Sequence, residues 1–167
     1  MPMQTDYPTA PSAAVEGQIA CRLNDAQISS AYNAEASAKI GFGLGVIYGS
    51  ATLEAAAKLP SAETDKVMGI TCRTHSIDSG ERGELDDTDG VKAGGQLNVL
   101  TEGTIWVKAT TGCAPGEKLW VRCTATPGIV GSCGNADDGT ETIDCTKEGT
   151  WLTYAAADGL AKLRVKF

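Results

Sequence analysis

The stretch from Gly94 to Thr124 constrains the fold most. It holds three short runs rich in β-branched and aromatic residues, Gln96–Leu100, Thr104–Lys108 and Lys118–Cys123, separated by Thr101-Glu102-Gly103 and by Thr110–Gly116 with its Ala114-Pro115-Gly116. Short runs of that kind between glycine- and proline-bearing turns predict a β-meander. Side chains on a strand alternate faces. Ile105 and Val107 therefore share one face, and Trp106 and Lys108 the other; Leu119, Val121 and Cys123 likewise oppose Trp120 and Arg122. Pairing the two Trp-bearing runs through Ala114-Pro115-Gly116 puts an aliphatic set in the core and two indoles with two cations outside. Each indole offers about 150–250 Å² to a partner, so Trp106, Lys108, Trp120 and Arg122 are candidate contact residues.

The rest of the chain extends the β pattern. Gln18–Leu23 reads as a first strand, and Tyr32–Ala38 is read as non-helical despite its Ala and Glu content. Ile40–Gly49 alternates apolar residues with glycine, and Lys66–Arg73 is a strand whose Met68, Ile70 and Cys72 face the core. Thr52–Leu59 has helical propensity but only enough length for a turn or two before Pro60. Thr142–Cys145 and Gly149–Ala155 are further strands, and Asp158-Gly159 is a hairpin turn signal. Leu160–Phe167 alternates most cleanly. Ala161, Leu163, Val165 and Phe167 face in, while Lys162, Arg164 and Lys166 form an outer basic stripe, either a solvated face or a docking surface. With 20 glycines and 5% aromatics in 167 residues, the chain reads as all-β: a single compact antiparallel β-sandwich or jelly-roll-like barrel over residues 19–167. Residues 1–18, with Pro2, Pro8 and Pro11 denying helix and ladder alike, read as an extended N-terminal arm. Tyr7, Pro8, Pro11 and Val15 are its candidate anchors on a neighbouring subunit.

Several chemistries find no support. A net charge of −7 argues against direct nucleic-acid binding, which needs cations on phosphates. No apolar run approaches the ~20 residues of a membrane span. The one histidine, His75, sits beside Ser76 without a triad pattern. Gly41–Gly45 leads into a β-like run instead of a helix and lacks Rossmann spacing. The acidic run Glu81, Glu84, Asp86, Asp87, Asp89 before Gly90 departs from the EF-hand pattern, with Leu85 in the first slot, and reads as a solvated loop. The six cysteines, at 21, 72, 113, 123, 133 and 145, lack zinc-finger or ribbon spacing. Without a basic, then apolar, leader at the N-terminus, they read as thiols free at synthesis in a reducing cytoplasm, although Cys133 and Cys145 flank a possible hairpin. The expectation is therefore a protein without catalytic, cofactor or metal sites that works by surface contact.

An ordered set of segments resembles a known family, the structural cement or capsid decoration proteins of tailed bacteriophages. It comprises Glu16–Ala20, Asn33–Ala36 leading to Ile40–Gly43, Lys58-Leu59-Pro60 before Thr64–Ile70, Lys92–Gly94 before Val99–Val107, Ala114-Pro115-Gly116 before Leu119–Arg122, and Leu152–Ala161. The resemblance implies a compact β domain on the outer surface of the assembled head. There it clamps neighbouring major capsid protein subunits and associates with itself as a dimer or trimer. The protein would be made in the host bacterial cytoplasm and reside in the virion. The cysteines of the 113–145 region depart from the family pattern. Two other classes stay open: a carbohydrate- or receptor-binding module of a phage tail, with Trp151 and Tyr154 as a sugar platform, and a secreted, disulfide-stapled domain.

Overall fold

The structure, a computed structural model, describes residues 14–21, 25–49, 56–73, 90–125 and 128–167. Its strands are β1 (Gln27–Asn33), β2 (Ile40–Gly41), β3 (Gly45–Tyr48), β4 (Ala56–Lys58), β5 (Val67–Cys72), β6 (Gly90–Val91), β7 (Gln96–Ala109), β8 (Lys118–Arg122), β9 (Cys133–Gly134), β10 (Thr142–Trp151) and β11 (Gly159–Lys166). A 3-10 turn stands at Gly139–Glu141, and among the described residues no helix is long and apolar enough to cross a membrane.

Nine strands form one sheet in the order β1-β4-β3-β5-β7-β11-β10-β8-β9, and two further pairings, β1–β7 and β7–β9, close it. The closures make two small barrels that share β7. The first ring is β7-β1-β4-β3-β5; the second is β7-β11-β10-β8-β9. Each encloses its own apolar cluster. Ile40, Phe42, Val46, Met68, Val91, Leu97 and Val99 fill the first. Ile105, Val107, Leu119, Val121, Ile143, Trp151, Leu163 and Val165 fill the second, joined by Ile70, Cys72 and Leu100. The all-β, barrel-forming expectation holds, with two parallel pairings, β1–β4 and β7–β9, added to the antiparallel ones.

The meander expectation does not hold. Thr101-Glu102-Gly103 is not a turn: β7 runs unbroken for 14 residues. Gly103 takes φ +140°, a conformation open to glycine, and the strand changes partners there without reversing. Its Gln96–Glu102 half pairs with β1 and its Glu102–Ala109 half with β11. The two Trp-bearing strands are not neighbours either. Within the second ring β7 bonds to β11 and β9, and β8 to β10 and β9. The physical reason lies in the connection. Cys113 bridges Ala155, and the Gly116 N–H donates to the Trp151 carbonyl at 2.8 Å, so residues 110–117 cross the barrel end instead of folding back.

Smaller departures follow the same logic. Gln18–Leu23 contributes one bridge, Ile19 to Ile105, and its residues 22–23 lie outside the described set. Ala56–Lys58, read as the end of a helical turn, is β4, drawn into the sheet by β1 and β3. Thr142–Trp151 is one strand with a register shift between Cys145 and Thr150. Met68, Ile70 and Cys72 are buried as expected, but Gly69 and Thr71 are buried too, because β5 lies between both clusters.

Gly69 marks a place where β5 packs closely on the β7 backbone. A Cβ built there would sit 2.5 Å from the Leu100 carbonyl oxygen and 2.6 Å from a Val99 methyl, and backbone cannot yield as a flexible side chain can. Gly69→Ala is expected to cost about 1–3 kcal/mol, the usual range for overpacking, measured as a lower urea midpoint with an unchanged m-value.

Candidate functional site

The outer wall of the second barrel is built from alternating strand positions. Inward positions of β7, β11, β10 and β8 are Ile105 and Val107, Ala161 and Leu163, Trp151, and Leu119 and Val121, all fully buried. Their neighbours therefore point outward. Lys162 stands directly across from Trp106, and Arg164 stands between Thr104 and Thr150. The Lys162 ammonium lies 5.1 Å from the Trp106 ring centroid, a cation–π contact.

Trp106 is half-buried, and its backbone holds the N-terminal approach of the chain. Its carbonyl accepts the Gly17 N–H and its own N–H donates to the Gln18 carbonyl, each at 2.8 Å. Gly17, at φ +79°, leaves no space for a Cβ, which would meet Phe42 at 2.7 Å. The last residues assigned to the arm are thus laid against β7. Val15 stands 47% exposed beside them. Tyr7, Pro8 and Pro11 lie outside the described residues, as do His75 and the acidic run 81–89.

The other candidates sit apart from Trp106. Lys108 pairs with Asp158 at 3.3 Å on an open surface, where such a pair contributes little. Trp120 is half-buried on β8 between Asp144 and Gly134. It borders a recess of about 10 Å³, with Arg122, Thr111 and Thr142, enough for one water. Ser132 Oγ, also lining that recess, is buried without a protein partner. Arg122 is bound within the chain, its guanidinium reaching Asp138 at 2.7 Å and Glu141 at 3.0 Å. Those contacts pin the turn at Gly139–Glu141 and raise the guanidinium's pKa, the hydrogen bond to Asp138 first among the causes.

The sugar platform is ruled out as drawn. Trp151 is fully buried, its Nε1–H donating to the Gly134 carbonyl at 3.3 Å, because it falls on the inward phase of β10. Tyr154 is 73% exposed without it. The six cysteines are all unpaired. Burial pushes the Cys72 and Cys145 thiols up to about 12, and raises Cys133, Cys113 and Cys123 as well. Cys113 and Cys123 each donate to a carbonyl at 3.4 Å, on Thr153 and Thr140. Thiols held protonated in this way are poor nucleophiles and poor metal ligands. Among the described residues no group of three or more His, Cys, Asp or Glu could hold a metal ion.

The model of the structural cement protein family (E217 gp24/Pam3 gp6) matches residues 3–166. The chain belongs to that family. It is a capsid cement protein, a structural component associated with phage heads. Its fold is also similar to that of a chain in the capsid of Myoviridae phage XM1, with a TM-score of 0.67 over 99% of this chain and 98% of that one. At 14% identity the likeness is one of fold. No curated protein matches the cement chain.

Sequence reasoning passed over Glu16 and left Lys118 unconsidered. The Glu16 carboxyl is raised above its ordinary range, by burial first, against the opposing Lys108 charge, the Lys108 backbone N–H and the Arg73 charge. The folded state therefore holds this proton to higher pH than the unfolded chain does. That contribution to stability declines as pH rises from the ordinary carboxyl range through the raised value. Glu16→Gln removes the decline, so its melting temperature relative to wild type is expected to improve as pH rises above the ordinary carboxyl range, read by circular dichroism. A second measurement addresses the thiols. Ellman's reagent is expected to find half-buried Cys21 quickly and the five buried cysteines slowly in native protein, and all six after denaturation; a total of four would indicate a disulfide.

Proposed function

We propose that this cement chain binds the outside of the assembled head and clamps neighbouring major capsid protein subunits, strengthening the shell by contact alone and without turnover. Membership of the structural cement family over residues 3–166 carries the reading. The fold suits it. Both barrels share one strand, so a load applied to one reaches the other through backbone hydrogen bonds. A shell displays many copies of each subunit, so modest contacts at each copy sum through multivalency. In this reading the protein is made in the bacterial cytoplasm, where its buried unpaired thiols stay reduced, and self-associates as a dimer or trimer on the shell.

The same reading gives the N-terminal residues a task. Gly17–Ala20 is held on β7, and the residues ahead of it, with Tyr7, Pro8 and Pro11, act as a strap over an adjacent subunit. Prolines suit a strap because a pre-set backbone loses less entropy on docking. Removing residues 1–13 is expected to leave the melting temperature of the free protein unchanged and to weaken retention on heads at least several-fold, measured by cosedimentation with heads stripped of the protein. Wild-type retention by the truncated chain would remove the strap. Failure of the full-length chain to bind stripped heads or raise their melting temperature would overturn the cement function itself.

A further inference from the structure

The outer wall of the second barrel carries cations that stand outside the ion pairs of the described residues. Glu102 pairs with Lys166 at 3.1 Å and Asp158 with Lys108 at 3.3 Å. Among the described residues, no carboxylate lies within ion-pair distance of Lys118, Lys162 or Arg164. All three point outward, Lys162 and Arg164 from β11 and Lys118 from β8, with β10 between them. Lys118 donates to the Thr150 hydroxyl at 3.4 Å, Thr150 stands across from Arg164, and Lys162 follows two residues before on the same face of β11. Apolar surface lies among them. Trp106 is beneath Lys162, and Leu152, 42% exposed, has its N–H on the Lys162 carbonyl. Yet the chain has 21 acidic residues against 14 basic ones. A chain with carboxylates in excess that leaves three cations of one wall outside every ion pair of the described residues has them available to a partner.

We propose that this wall, centred on Trp106, Lys162 and Arg164 with Lys118 and Leu152 at its margin, is the face that docks on the shell, and that it meets an acidic surface of the major capsid subunit. The inference rests on the cement function and adds which face binds and the charge of what it binds. Charge complementarity selects the occupant. A two-fold contact between copies through this wall would set like cations against each other, which disfavours a second copy. Trp106 supplies the apolar centre, and the cations around it set the register.

Charge reversal tests this without touching the core. Lys118→Glu with Arg164→Glu is compared with Lys66→Glu with Lys92→Glu, an equal charge change on exposed residues of the first-barrel side. Binding to stripped heads is measured across a salt series, with melting temperature as the folding control. At about 0.05 M salt the first pair is expected to bind at least about ten-fold more weakly than wild type, the gap closing by about 1 M salt as screening shortens to ~3 Å. The second pair is expected to stay within about two-fold of wild type throughout. Wild-type binding by the first pair, or an equal loss by the second, overturns the docking face while leaving the cement function standing. So does a changed oligomeric state, by sedimentation, with head binding intact, since the wall would then meet another copy. If wild-type protein fails to bind heads, the function and the docking face fall together.

Discussion

A strand has two hydrogen-bonding edges, and β7 has both occupied at the points that matter. Val99 lies between Ser29 and Thr71, Ile105 between Ile19 and Leu163, and Ala109 between Gly159 and Cys133. A buried backbone group left without a partner costs about 1–3 kcal/mol, so separating the barrels would expose a row of such groups at once. The shared strand explains why one chain has two apolar clusters, with Leu97 and Val99 in one and Leu100, Ile105 and Val107 in the other. It also explains the short N-terminal bridge. Gly17–Ala20 covers the edge of β7 opposite β11, and so becomes part of the wall.

Period-two alternation made the walls legible. It assigned Ile105, Val107, Leu119, Val121, Ala161, Leu163 and Val165 to the interior, and Trp106, Lys108, Trp120, Lys162 and Arg164 to the outside. Alternation fixes which way a side chain points but says nothing of which strand lies beside it. The tempting pairing of two similar Trp-bearing runs was therefore wrong, although both runs are strands with the expected inner faces. Thr101-Glu102-Gly103 misled for a related reason. A glycine between apolar runs serves equally as a reversal or as a bend where the strand changes neighbours, and only long-range pairing with β1 and β11 decides. Trp151 escaped because its strand was read without a partner, and its inward phase becomes evident only opposite Leu163.

The same limit governs the candidate contacts. Arg122 and Arg164 are indistinguishable in sequence: each is a cation on the polar phase of an alternating strand. Their environments differ because of residues far along the chain. Arg122 receives Asp138 and Glu141 from the turn after β9, which spends its charge on local architecture. Arg164 has only Thr104 and Thr150 across from it. A guanidinium already shared by two carboxylates has little to offer a third, and drawing it away would leave those acids uncompensated. Among the described residues no carboxylate holds Arg164 in that way, so no ion pair there is lost when a partner's carboxylate approaches.

This distinction separates cations that hold the cement chain together from those free to hold something else. The pairs Lys108–Asp158 and Lys166–Glu102 are exposed and cheap to rearrange; Arg122 is neither. Lys162 is intermediate: its ammonium is held over the Trp106 ring, which orients it without neutralising it. An indole and a cation presented together by one rigid wall lose little side-chain entropy on docking, while water stays in reach of the charge until a partner displaces it. Contacts that are weak singly sum when many copies are arrayed together, so a wall of this kind need not bind tightly as a single copy.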